Sequence, residues 1–409
     1  MRRIVVKFGG TSIGDIEQVH SAASSVYREH KKGAQVAVVV SAMGHTTDEL
    51  ISAALESTGG RISKKEMDSI MSMGERVSAR TFASALRSLG ADAKFIDPGC
   101  PEWPVVTDSK FGNARVDLAE TRRRARKHVL PLLKRGTIPV ICGFLGKDRK
   151  NNITTIGRGG SDITAFLMAS CLGADEVIIV KDVEGVMSGD PSKIGTPRLL
   201  PEITFEEMRD LARYGARVLH PRAVDYKDPN IDAKVIHFRH GSLSARGTTI
   251  VGPGGGGMSV RLYERPLAML TIVGRQMQLV PGILTKAAAP MSRAGINIFG
   301  VSIGPRSFSI YVNRKDSSRA IRLLHEVVKK NELMKSVTSE ENIAMVIAES
   351  EKFIENPGFV ARLTEPLAKK AINIIEIFSS RASITFFVNW PDSRRALKIL
   401  KQTMKEVCG

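Results

Sequence analysis

From about residue 265 onward the chain repeats itself at a constant offset of 76 residues. Pro281-Gly282 aligns with Pro357-Gly358, and in the same register Pro290 meets Pro366 and Ile296-Asn297-Ile298 meets Ile372-Asn373-Ile374. Upstream, Ala268-Met269 meets Ala344-Met345; downstream, Val312-Asn313 meets Val388-Asn389 and Arg319-Ala320 meets Arg395-Ala396. Chance supplies one such match but not a gapless series. The pattern of each copy reads strand, helix, strand, strand, helix, which predicts two tandem α+β modules of one design.

The first 250 residues follow a different rule. Short β-branched runs at 4–6, 36–40, 137–141, 176–180 and 235–238 alternate with helical stretches at 72–89, 161–172 and 205–213. The runs are apolar on both faces, as strands of a covered parallel sheet must be, so this part is expected to be an α/β sandwich. The glycine run GPGGGGM at 252–258 offers no side chains to bury and reads as a break. The expected division is therefore 1–251, a linker at 252–264, and modules at 265–338 and 339–409.

Charge narrows the partners. Sixty basic residues against 42 acidic give +18, which favours anions, either nucleic acid or small molecules. The basic segment TRRRARKH at 121–128 spreads its charges all round a helix, and aromatics for stacking are only 5% of the chain. A solvated helix is the better reading, and no nucleic-acid partner is expected. Cys100, Cys142, Cys171 and Cys408 lie far apart, without disulfide or zinc spacing, and the eight histidines show no metal-ligand pattern. His220 in VLHP reads as structural or capping. The N-terminal MRRIVVKFGG is too short for a signal peptide. No apolar run approaches the roughly 18 residues of a membrane helix. A soluble cytoplasmic protein is expected.

Three constellations sit at the carboxyl ends of predicted strands, where open α/β sheets bind ligands. In KFGGTS, 7–12, consecutive glycines let backbone N–H groups approach an anion, and Lys7 adds a point charge; the same spacing also suits a tight turn with a surface lysine. In GRGGSD, 157–162, Arg158 is able to grip a carboxylate bidentately at a helix N-terminus, whereas the plainer alternative is a helix capped by Asp162. The third, KDVEGVMSGDP at 181–191, is by itself more often a turn.

Taken in order, KFGGTS, SAMGHTTDEL (41–50), SMGERVSA (72–79), TDSKFGNA (107–114), GRGGSD and YGARVLHP (214–221) resemble the aspartate kinases, members of the amino-acid kinase fold. The repeat resembles their paired C-terminal ACT modules, of ferredoxin-like α+β type. The resemblance implies transfer of the γ-phosphoryl group of ATP to the side-chain carboxylate of L-aspartate. The product is 4-phospho-L-aspartate, at the start of lysine, threonine and methionine biosynthesis. It implies that Lys7 stabilises the transferring group, that Gly9 and Gly10 supply donors, and that Asp162 orients Lys7. Ser41, Thr47, Glu75, Arg158, Gly159, Gly160 and Ser161 would surround aspartate, with Glu75 on its ammonium. Lys7, Phe8, Gly9, Gly10, Lys181, Asp182, Met187, Asp190, Ser192, Arg217 and Val218 would hold ATP, and Arg217 joins Lys7 and Asp162 in catalysis. Mg2+ would bridge the phosphates, with no protein residue assigned to it. In the modules, Met277, Gly282, Ile283, Asn297 and Asn373 would take lysine or threonine as effector, and the modules would join copies of the chain into a homo-oligomer.

The nucleotide side departs from the family pattern. Lys181 stands where threonine is usual, Ser192 replaces an arginine after Asp-Pro, and Arg217 replaces a lysine. In the second module AESEKF at 348–353 replaces a glycine-containing turn. Two other readings stay open: a catalytically weak amino-acid sensor, and a kinase for another acidic amino acid.

Overall fold

The computed structural model describes residues 1–216, 218–224, 226–228, 230–252, 258–350, 352–355 and 357–408. Arg217, residues 253–257 of the expected linker and Glu351 of the AESEKF segment lie outside the described residues. The chain divides into two compact units, Met1–Gly256 and Gly257–Gly409.

The strands of the first unit are β1 (Arg3–Phe8), β2 (Gln35–Val40), β3 (Ala93–Ile96), β4 (Ile138–Cys142), β5 (Leu145–Lys147), β6 (Ile153–Thr155), β7 (Glu176–Lys181), β8 (Glu202–Thr204), β9 (Asp232–His237) and β10 (Gly247–Val251). Eight of them form one sheet in the order β3-β4-β2-β1-β7-β9-β10-β8, and β5 and β6 make a separate hairpin. From β3 to β9 every neighbour is parallel. β10 then turns antiparallel to β9. All five residues of β4, and five of six in β1 and in β2, are buried. Strands covered on both faces need such β-branched runs.

The helices are α1 (Ile16–Lys31), α2 (Thr46–Thr58), α3 (Lys64–Ser88), α4 (Leu118–Arg124), α5 (Leu130–Lys134), α6 (Gly160–Leu172), α7 (Phe205–Arg213) and α8 (Pro221–Val224). α1 and α3 touch each other and the sheet, while α6 lies on β1 and β7 with α4 beside it. α6 is apolar nearly all round and nearly all buried, as a helix enclosed between layers must be. α3 starts at Lys64, well before the expected residue 72. A capping box between Ser63 and Glu66 begins it, and the inward residue of its first turns is Asp68, so no apolar period shows there. The basic segment 121–128 also differs from a plain solvated helix. It widens into a π turn at Ala125–Val129, Arg124 Nε donates to the Trp103 carbonyl (2.8 Å), and Arg126 Nε donates to that of Cys171 (3.3 Å).

The second unit holds β11 (Ser259–Leu262), β12 (Leu267–Gly274), α9 (Ile283–Arg293), β13 (Gly300–Ile303), β14 (Ser307–Asn313), α10 (Ser317–Lys329), β15 (Met334–Glu349), α11 (Lys352–Glu355), α12 (Phe359–Lys369), β16 (Ile374–Ser379), β17 (Ser383–Asn389) and α13 (Ser393–Cys408). The pairs α9/α12 and β14/β17 coincide at both ends when shifted by 76 residues, and the left-handed Gly282 and Gly358 start the equivalent helices. The sheet runs β13-β14-β12-β15-β17-β16. β15 serves both copies: its first half pairs with β12, and residues 343–349 pair with β17. Asn342, in the left-handed region at φ 64°, marks the change. β11 pairs antiparallel with 346–349. It takes the place in the second copy that the first half of β15 takes in the first. The expected linker therefore contains a strand of the second module, which four residues beside a glycine run did not reveal. Each copy has its own core, and a third cluster joins them, with Tyr311 stacked on Phe387 at 3.9 Å between ring centroids.

Candidate active site

The parallel register of the first unit brings the ends of β1, β2 and β7 together. Lys7 is the fifth residue of β1 and lies between Val39 of β2 and Ile179 of β7. Its ammonium reaches Asp162 Oδ1 at 2.9 Å, the two side chains being 7% and 6% exposed. Asp162 belongs to the first turn of α6, where the helix field favours an anion. Its other oxygen meets Lys181 Nζ at 3.2 Å, and the same ammonium donates to the Val218 carbonyl. Burial alone would raise the Asp162 carboxyl, but the two lysines overcome it and hold the group at about 2. For Lys7 burial wins. The ammonium is pushed below its ordinary range although Asp162 opposes this, and the like charge of Lys181 adds to the lowering.

The loop after β1 folds against the turn after β2. The Gly44 N–H donates to the Gly10 carbonyl at 3.1 Å. A Cβ on Gly10 would stand 2.8 Å from the Ala42 carbonyl, so only glycine allows this approach. Glu75 enters from α3. It is 3% exposed, and the Ala42 N–H donates to its Oε1 at 3.3 Å. Among the described residues its buried Oε2 has no hydrogen-bond partner. Burial lifts this carboxyl to about 7. On the opposite wall, the turn 157–161 leads from β6 into α6. Gly159 there has φ +74°, and a Cβ on it would stand 2.5 Å from His220 Cβ.

These parts enclose an open cavity of about 320 Å3. Lys7, Gly10, Asp162 and every residue expected around aspartate, Ser41, Thr47, Glu75, Arg158, Gly159, Gly160 and Ser161, line it. Ala42, Gly44 and Gly157, which belong to the motifs at 41–50 and 157–162, line it too, as does Phe144, which no motif contained. The cavity can accept a small molecule with both charges, an ammonium at Glu75 and anionic groups at Lys7, Arg158 and the N-terminus of α6.

The nucleotide-side residues are not gathered in the same way. Asp182, Asp190 and Ser192 are exposed on the loop after β7. Ser192 donates to Asp190 Oδ1 through both N–H and hydroxyl. Met187 bridges to Leu199. Phe8 is buried and its ring meets Phe82 at 5.2 Å, which leaves its backbone alone near the site. The Gly9 N–H is given to the Val180 carbonyl at 3.2 Å, while Gly10 lines the cavity. Lys181, the last residue of β7, is paired with His237 of β9 and directs its ammonium to Asp162. A second cavity of about 190 Å3 lies between α1 and the segment after β9, and of the expected residues among those described only Phe8 borders it.

In the second unit the Met277 and Ile283 side chains belong to the core of the first module, so only their backbone can meet a ligand. Gly282, Asn297 and Asn373 are exposed. Among the described residues no group of three or more His, Cys, Asp or Glu is placed to hold a metal ion, and no helix is long and apolar enough to cross a membrane.

Residues 2–237 match the amino acid kinase family model, and 262–326 and 338–402 each match an ACT domain. Aspartokinase 2 of Bacillus subtilis is 33% identical, with 98% of this chain and 97% of that protein covered. Among solved structures, aspartate kinase from Synechocystis superposes with a TM-score of 0.81 at 26% identity, covering 98% of this chain and 69% of that one. Aspartokinase III of E. coli, in complex with lysine and aspartate, gives 0.53 at 25% identity and covers 98% of each chain.

Proposed function

Because the chain belongs to the amino acid kinase family, among its aspartokinases, we propose that the 320 Å3 cavity is where L-aspartate is phosphorylated. The enzyme transfers the γ-phosphoryl group of ATP to the side-chain carboxylate of L-aspartate. A carboxylate oxygen bonds to phosphorus, the bond from phosphorus to the bridging oxygen breaks, and 4-phospho-L-aspartate and ADP leave. The Lys7–Asp162 ion pair carries this reading.

Such chemistry needs alignment and charge compensation more than a covalent protein intermediate. Lys7 sits where charge collects on the transferring oxygens, and Asp162 fixes its ammonium, with Lys181 sharing the second carboxylate oxygen. Glu75 receives the substrate ammonium on its unpartnered Oε2. Arg158 and the N-terminus of α6 receive carboxylate. ATP would be held along the segment from Lys181 to Ser192 and by Val218, with Arg217 assigned to it by resemblance, and Mg2+ accompanying it would supply compensation of the phosphate charge. The reaction takes place in the cytoplasm. The ACT pair joins chains into a homo-oligomer and binds an end product, lysine or threonine, near Gly282, Asn297 and Asn373. The lysine complex of the E. coli relative supports lysine first.

The test is acyl-phosphate formation trapped with hydroxylamine, from MgATP with aspartate, glutamate or N-acetylglutamate, with and without lysine or threonine. Product with aspartate alone, lost in Lys7→Ala while that variant stays folded, supports the reading. Amino-acid binding without product, or unchanged turnover in Lys7→Ala, refutes it.

A further inference from the structure

One short segment touches both halves of the site. Arg222 Nη1 donates to Asn113 Oδ1 at 2.6 Å and to the Ile156 carbonyl at 3.1 Å. Ile156 is the residue before the turn that carries Arg158. Asn113 follows Gly112, whose N–H donates to the fully buried Asp68 carboxylate at 2.9 Å. Asp68 also takes the N–H and hydroxyl of Thr155, at 2.9 and 2.8 Å. The turn is therefore tied on one side to α3 and on the other to Arg222.

The opposite end of the same segment meets the catalytic pair. The Val218 carbonyl accepts from Lys181, whose ammonium is the second partner of Asp162. Between these two points, His220 lies against Gly159 and its Nδ1 accepts the Arg222 N–H at 3.3 Å. A displacement at Val218 cannot leave the Arg158 turn untouched while Arg222 holds it. Both bonds leave one nitrogen, Nη1, at the end of a side chain one bond longer than lysine's, so a lysine ammonium does not reach both oxygens equally well.

We propose that Arg222 is a positioning residue that couples the two substrates, so that nucleotide bound beside Val218 tightens aspartate through the Arg158 turn. The proposal rests on the reading of the cavity given above. By linkage the effect is reciprocal, and each ligand tightens the other by the same factor.

The experiment is calorimetric binding of aspartate to the full chain, with and without a saturating non-hydrolysable MgATP analogue, and of the analogue with and without aspartate. In the unsubstituted chain the analogue tightens aspartate about fivefold or more, and aspartate tightens the analogue equally. Arg222→Ala brings both factors to about one, Arg222→Lys restores only part, and Asn113→Ala, which removes one acceptor at the surface, lowers both factors. Thermal melting confirms that each variant is folded. Full coupling in Arg222→Ala, or in both milder variants should that one not fold, overturns the proposal, as does a factor of one in the unsubstituted chain. Failure of the functional reading is distinct, because that chain then yields no aspartate hydroxamate at all.

Discussion

Glu75 holds a carboxylate where its charge is costly and where, among the described residues, one oxygen has nothing to accept from. With burial raising it to about 7 from an ordinary 4.5, the free enzyme carries it largely protonated in mildly acidic solution, and the incoming ammonium must then displace a proton. The aspartate KM is expected to rise about tenfold for each pH unit below 7, with kcat changing less, measured from pH 5 to 8. The sign for stability is the reverse. A carboxyl raised on folding favours the folded chain most below the unfolded value of 4.5, and that contribution is lost as pH rises through 7. The loss is about 3 kcal/mol, and Glu75→Gln is expected to flatten the melting profile across that window. Unchanged KM over the range would show that Glu75 does not receive the ammonium. The residues on the aspartate side were legible in the sequence because motifs mark them. The contact of Lys181 with Asp162 was not legible, since whether the last residue of a strand points inward depends on its neighbours. Asp68 and Arg222 carried no local signal, because their partners lie 44 to 109 positions away.

The turn 157–161 and α6 act as a single element. Gly159 combines φ +74° with a missing Cβ that would stand 2.5 Å from His220 Cβ. Gly159→Ala must move the His220 backbone or the turn itself, and aspartate affinity is expected to fall by at least tenfold, about 1.4 kcal/mol. Gly59→Ala is the matched control. That glycine ends α2 at φ +58° with nothing within 4 Å, so the substitution costs about 1–2 kcal/mol of stability through backbone conformation alone. Binding calorimetry and melting separate the two, and equal aspartate affinities would remove Gly159 from the site. At this scale sequence reading did well wherever an apolar period ran unbroken, as in α7, and in the repeat, where two copies reinforce each other. It failed at the start of α3, where the buried residue is an aspartate, and at β11, too short to show a period.

Across the whole molecule, the second module consists of β11 and residues from 343 onward, with the first module inserted between them. A fragment of residues 258–409 is expected to melt cooperatively. One starting at 265 loses Val260 and Leu262 from the core of the second module and bares one flank of β15, and it should lose several degrees of Tm or aggregate. Equal melting of the two would show that β11 contributes nothing. The sequence boundary at 265 would have chosen the worse fragment. The insertion also has an evolutionary consequence. Tyr263 donates its N–H to the Met345 carbonyl at 2.9 Å, so the two points where the inserted segment leaves and re-enters the chain are neighbours. A single in-frame deletion closed by a two-residue hairpin turn can delete the whole insert while its host keeps every strand, which gives a gene of this design a simple route to shedding half of its regulatory apparatus.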